Sequence, residues 1–152
     1  MTPDTILLID DNPDDYFAIQ RCLQQAGLAN PLAHIDEPGV GLSRLREAAA
    51  HDRLPTLVLL DINMPGMSGT ELLAELRGDP RMAWLPVVML TSSNDDRDVL
   101  AAFNGRANAW INKPLDYDGL LLALNKIRSH QVERIDHPGA RLHHSLSIRR
   151  AQ

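Results

Sequence analysis

The chain is poor in cysteine, in aromatic residues and in long apolar runs, and each shortage closes a class of function. One cysteine in 152 residues, Cys22, leaves no intramolecular disulfide framework and no four-cysteine zinc site. Phe, Trp and Tyr together make up 4%, too few for a base-stacking platform on single-stranded nucleic acid. No apolar run nears the ~20 residues that a membrane-spanning helix needs. Met1-Thr2-Pro3-Asp4 opens with neither the basic nor the apolar stretch of a secretory signal. Basic charge is also short: 15 Lys+Arg face 20 Asp+Glu, a net charge of -5, which speaks against a nucleic-acid-binding surface over the whole chain. A cytoplasmic protein of one ordinary domain is the expectation, since 44% hydrophobic and 23% charged residues suffice for one core.

What is present alternates between two kinds of segment. Short continuous apolar runs fall at Ile6-Leu7-Leu8-Ile9, Leu57-Val58-Leu59-Leu60 and Val87-Val88-Met89-Leu90, with weaker ones at Leu32-Ala33-His34-Ile35 and Ala109-Trp110-Ile111. Such runs suit strands buried on both faces. Longer amphipathic stretches lie between and after them: Tyr16 to Ala26, Val40 to Ala50, Gly69 to Arg77, Asp96 to Phe103 and Tyr117 to Ser129. Asp95 and Asp116 suit helix starts, and Gly27 and Gly78 suit helix stops. Five strand-helix units in a row predict an α/β fold, a parallel sheet with right-handed crossovers and helices on both faces. In the first helix, Cys22 belongs to the apolar stripe and reads as core.

This domain is expected to span residues 1–129, with 130–152 as a C-terminal extension too short for a core of its own. The extension carries four arginines against two acids and four of the six histidines, His130, His137, His143 and His144. Their spacing fits no common metal site. Val132, Ile135, Leu142, Leu146 and Ile148 give it apolar surface to cover, on its own domain or on a second copy. Leu142 and Leu146 suit a helix; Leu142, Leu146 and Ile148 equally suit a strand.

In an open parallel sheet, ligands bind beyond the carboxyl ends of the strands. Asp10 and Asp11 follow the first run, Asp61 the third, Thr91 and Ser92 the fourth, and Lys113-Pro114 the fifth. Three carboxylates in one pocket repel unless a cation joins them. A hard divalent ion such as Mg²⁺, with Lys113 adding a further positive charge, suits an incoming phosphoryl group. Asp61, ending the central strand, is the candidate nucleophile, and the Asp10/Asp11 pair the metal anchor.

Ile6 to Pro13, with Asp10-Asp11-Asn12-Pro13, resembles the opening of a response-regulator receiver domain. Leu59 to Gly69, Val87 to Ser92 and Ala109 to Pro114 resemble the family's other three motifs, in order and at suitable spacing, so the resemblance covers about residues 5 to 130. It implies a flavodoxin-like (βα)5 receiver fold, strand order 2-1-3-4-5. It implies that Asp61 is the phosphoacceptor, that Asp11 binds Mg²⁺ directly and Asp10 through water, and that Asp61 and the backbone carbonyl of Asn63 are further ligands. Thr91 and Lys113 would hold the phosphate, Lys113-Pro114 would be cis, and the switch aromatic falls on Trp110. A sensor histidine kinase would supply the phosphoryl group. The resemblance thus implies a phosphoacceptor switch rather than a turnover enzyme, with self-phosphorylation and slow autodephosphorylation. The loop from Asp79 to Pro86, containing Trp84, is similar to that of stand-alone receivers paired with phytochromes, although Trp84 also suits the rim of the core. Such receivers imply a bacteriophytochrome as kinase and a homodimer through helix 4, strand 5 and helix 5, helped by the extension.

Three residues depart from the family pattern. Trp110 replaces the commoner Tyr or Phe; Ser92 follows Thr91 where Ala or Gly is frequent; and Arg106 stands four before Trp110 where Gly is common, with Gly105 beside it to rebuild the turn. Two rivals differ in class. Haloacid-dehalogenase-like phosphatases carry an acid/base Asp two residues after the nucleophile, and here that position is Asn63. A constitutive binding module would not need Asp10, Asp11, Asp61, Thr91 and Lys113 together. With 23 residues after Ser129, no DNA-binding output module is expected, and output would pass through a partner.

Overall fold

A computed structural model describes residues 1–92, 101, 104–135 and 148, with side chains through 126 and at 148. The elements run β1 (Ile6–Ile9), α1 (Pro13–Gln25), β2 (Leu32–Ile35), α2 (Pro38–Ala50), β3 (Leu57–Asp61), α3 (Gly69–Gly78), β4 (Val87–Thr91), β5 (Ala109–Asn112) and a last helix, Tyr117–Ile135. The five strands form one parallel sheet of order β2-β1-β3-β4-β5. This is the predicted flavodoxin-like order. The expected helix from Asp96 to Phe103, apart from Ala101, and the expected cap Asp95 lie outside the described residues.

Strand alternation divides the core in two. Leu7, Ile9, Val58, Leu60, Val87 and Met89 face α2 and α3, where they meet Leu42, Leu45, Leu72, Leu73 and Leu76. Ile6, Leu8, Leu57, Leu59, Val88 and Leu90 face α1 and the last helix, where they meet Ile19, Cys22, Leu23, Leu120 and Leu124. Continuous apolar runs are what a strand needs when helices cover both faces. Cys22 is buried, as expected, and burial pushes its thiol up from its ordinary value.

Helix ends follow local chemistry. In α1, Asn12 caps the Asp14 N–H at 2.9 Å and Pro13 takes the first turn, so the helix starts three residues before the expected Tyr16. It ends where Gly27 turns left-handed (φ 69°), with Leu28 N–H bonded to the Leu23 carbonyl and Gly27 N–H to that of Gln24. Asp116 caps the last helix through the Gly119 N–H at 2.7 Å. That helix runs to Ile135, past the predicted end at Ser129. Nothing between His130 and Ile135 breaks a helix, and the first breaker is Pro138-Gly139. Within the extension, His130 lies in the last helix, and Ile148 is partly buried against the core layer under α1 and that helix; its other residues from 136 onward, His137, His143 and His144 among them, lie outside the described residues.

In the loop before β4, Met82 and Leu85 fill the core while Trp84 is 47% exposed. The left-handed turn before β5 is made by Arg106 itself (φ 66°), not rebuilt at Gly105 as expected. A Cβ on Gly105 would lie 2.8 Å from Leu73, so that position serves close packing against α3.

Candidate functional site

The carboxyl ends of β1, β3, β4 and β5 meet at one end of the sheet. Asp10, one residue past β1, is fully buried; Asp61, the last residue of β3, and Thr91, the last of β4, are buried too. Asp11 and Asn63 are exposed beside them. Carboxylate oxygens of Asp10, Asp11 and Asp61 all lie within 4.8 Å of one another. Lys113 reaches this group from beyond β5, anchored by its own N–H to the Thr91 carbonyl at 2.7 Å, and the Lys113-Pro114 peptide is cis. Its Nζ stands 3.2 Å from Asp10 Oδ2 and 3.4 Å from Asp61 Oδ2.

Backbone geometry aims these groups. The Asn12 N–H donates to Asp10 Oδ1 at 2.9 Å, and the Asn63 N–H to Asp61 Oδ1 at 3.3 Å. The start of α3 packs directly on the backbone behind Asp61: a Cβ on Gly69 would fall 2.1 Å from the Asp61 carbonyl oxygen. Only glycine allows that approach. His34 of β2 donates from Nε2 to the Asp10 carbonyl at 2.7 Å and stacks on Tyr16.

Charge in the pocket is unbalanced. Burial, hydrogen bonding to Asp15 and the charge of Asp61 push Asp10 up to about 7, against the pull of the Asn12 N–H and Lys113. Burial also raises Asp61, opposed by Lys113 and the Asn63 N–H. Burial alone would lower Lys113; Asp15, Asp10 and Asp61 outweigh it and hold the ammonium protonated well above its ordinary range. One lysine does not neutralise this cluster. A group of hard oxygen donors, two of them buried and under repulsion, fits a divalent cation.

Two further residues bear on the site. Trp110 is on the outward side of β5, 37% exposed, with Lys126 Nζ 5.0 Å from its ring centroid, and is not in the pocket. Asp15, which sequence reasoning missed, is in the pocket: its Oδ2 lies 2.5 Å from Lys113 Nζ. Its signal was available, because Asp15 shares a helical stripe with Ile19, Cys22 and Leu23, all buried.

Comparison with known proteins agrees with this geometry. Residues 6–125 match the family of response regulator receiver domains. The chain is 29% identical over 140 residues to response regulator Rcp1 of Synechocystis sp., covering 91% of this chain and 95% of that one. Among solved structures it is similar to the bacteriophytochrome response regulator RtBRR (TM-score 0.73, 28% identity, 83% of this chain and 78% of that one). It is also similar to the Mn²⁺-bound form of Rcp1 (TM-score 0.68, 28% identity, 90% of this chain and all of that one). Among the described residues no helix is long and apolar enough to cross a membrane.

Proposed function

The chain belongs to the response regulator receiver domain family, and from that premise we propose that it is a switch phosphorylated on Asp61 by a sensor histidine kinase. The observation that carries the reading is the meeting of Asp10, Asp11, Asp61 and Lys113 at one end of the sheet. An Asp61 carboxylate oxygen forms the new P–O bond as the P–N bond to the donor's phosphohistidine breaks; the imidazole nitrogen leaves with that electron pair and takes a proton. Lys113, held protonated, offsets charge on the phosphoryl oxygens, and Thr91 donates its hydroxyl to one of them. Asp11, Asp61 and the Asn63 carbonyl would hold Mg²⁺, with Asp10 acting through water, and the ion supplies charge neutralisation and alignment of the phosphoryl oxygens. Asp10, Asp61 and Thr91 are buried, which limits the access of bulk water to the phosphoryl group. The domain is residues 1–129 in function, with 130–152 as an extension that assists assembly.

Similarity to Rcp1 and RtBRR favours a phytochrome-type kinase as the donor. Exposed Trp110 on β5, and exposed Leu122 one turn before Lys126, favour that face as the contact for a homodimer and as the surface that Thr91 and Trp110 alter on phosphorylation.

Intact mass after incubation with Mg²⁺ and acetyl phosphate tests the central claim. One added phosphoryl group in the wild type and none in Asp61→Asn is the expected result. An equal adduct in both would remove Asp61 from the role, and turnover of phosphomonoesters without an adduct would favour a phosphatase.

A further inference from the structure

We propose that Asp15 is a positioning residue: it draws the Lys113 ammonium toward the first turn of α1 and so leaves the oxygens of Asp10 and Asp61 to a divalent cation. The inference rests on the reading of Asp10, Asp11 and Asp61 as that cation's ligands. Asp15 is outside this trio. Yet Lys113 Nζ is 2.5 Å from Asp15, nearer than its 3.2 Å to Asp10 or 3.4 Å to Asp61.

The placement has no packing rationale. Asp15 occupies the apolar stripe of α1, where its neighbours Ile19, Cys22 and Leu23 bury hydrocarbon, and a buried carboxylate there is costly unless paired. Lys113 is the partner that offsets the cost. A lysine stem is long and flexible. Without Asp15 the ammonium settles between Asp10 and Asp61, satisfies both, and must be displaced by an incoming ion. With Asp15 its closest contact is away from them, and the pair retains enough negative charge for a cation.

Calorimetric titration with Mg²⁺ alone, without phosphodonor, tests this on wild type, Asp15→Asn, Lys113→Met and the double variant. The expected result is a loss of about fivefold or more in Mg²⁺ affinity for Asp15→Asn, shrinking to less than about twofold when Lys113 is already methionine. Equal losses in both backgrounds would overturn the proposal, since Asp15 would then act as a bare charge and not through Lys113. Unchanged affinity in Asp15→Asn would overturn it as well while sparing the cation site. A wild type that binds no Mg²⁺ would overturn the cation-site reading and the proposal together. Asp15→Ala carries the same expectation should the asparagine variant not fold.

Discussion

Replacing Asp10 by asparagine should stabilise the metal-free protein at neutral and alkaline pH, although it removes an ion pair. Asp10 is fully buried and its carboxyl is pushed up from 3.8 to about 7. In that window the folded protein keeps a proton that the unfolded chain has released. Wild-type stability therefore falls as pH rises from about 4 to about 7 and levels off above. A rise of about three units at about 1.4 kcal/mol each sets the cost of ionising Asp10 in the fold near 4 kcal/mol. The substituted asparagine carries no such cost, and its side-chain oxygen still accepts the Asn12 N–H. The lost contact with Lys113 at 3.2 Å is already contained in that figure, because the Lys113 charge pulls Asp10 down against burial. The net gain at pH 8 is on the order of 4 kcal/mol, or roughly 8–16 °C in Tm for a chain of this size. Urea and thermal unfolding followed by circular dichroism in EDTA, at pH 5 and pH 8, measures it. The advantage of Asp10→Asn should grow from pH 5 to pH 8. It should shrink or reverse with saturating Mg²⁺, which stabilises the wild type by about 2.7 kcal/mol at one hundred times Kd. A variant less stable than wild type at pH 8 in EDTA, or a gap that does not widen with pH, would refute the view of this pocket as a strained cluster awaiting a cation.

Three further outcomes follow from other parts of the fold. Arg77, at the end of α3, donates to the carbonyls of Ala83, Leu85 and Arg106 and to Asn108 Oδ1, which also accepts the Val87 N–H. Arg77→Ala should cost about 2–4 kcal/mol in urea unfolding, by leaving several of these acceptors unpaired. Arg106 holds a left-handed conformation, so Arg106→Gly should be close to neutral while Arg106→Val costs about 2 kcal/mol, read by the same melts. Leu122 is 72% exposed on the proposed assembly face. Leu122→Asp should reduce the mass measured by light scattering to that of one chain while leaving phosphorylation of Asp61 intact.

The parts of this structure legible from sequence are those in which one physical requirement acts alone. Ile6–Ile9, Leu57–Leu60 and Val87–Leu90 had to be doubly covered strands because no polar residue interrupts them. A sheet of such strands collects the residue after each run at one end, so Asp10, Asp61, Thr91 and Lys113 could be placed together from the amino-acid order alone. Legibility stops where two requirements compete. Asp15 is an acidic residue on an apolar stripe, so a search for apolar spacing passes over it; its helical spacing to Ile19, Cys22 and Leu23 becomes readable once the start of α1 is placed at Asn12 and Pro13. Arg106 breaks a conformational preference that neighbouring groups overrule from a distance, with Arg77 holding its carbonyl and Asn108 fixing the strand beyond. Trp84 is large and apolar, yet Met82 and Leu85 have the geometry to fill the core and it does not. At the site this competition is itself the function. Asp10, Asp61 and Asp15 share a single lysine, which lies within 3.4 Å of all three but brings one positive charge to three carboxyls. What remains unsatisfied lowers the stability of the free protein and is the free energy available to an arriving cation. Stability in EDTA and affinity for Mg²⁺ should therefore move in opposite directions across substitutions at Asp10 and Asp61, the two carboxylates whose charge the lysine leaves exposed to the ion.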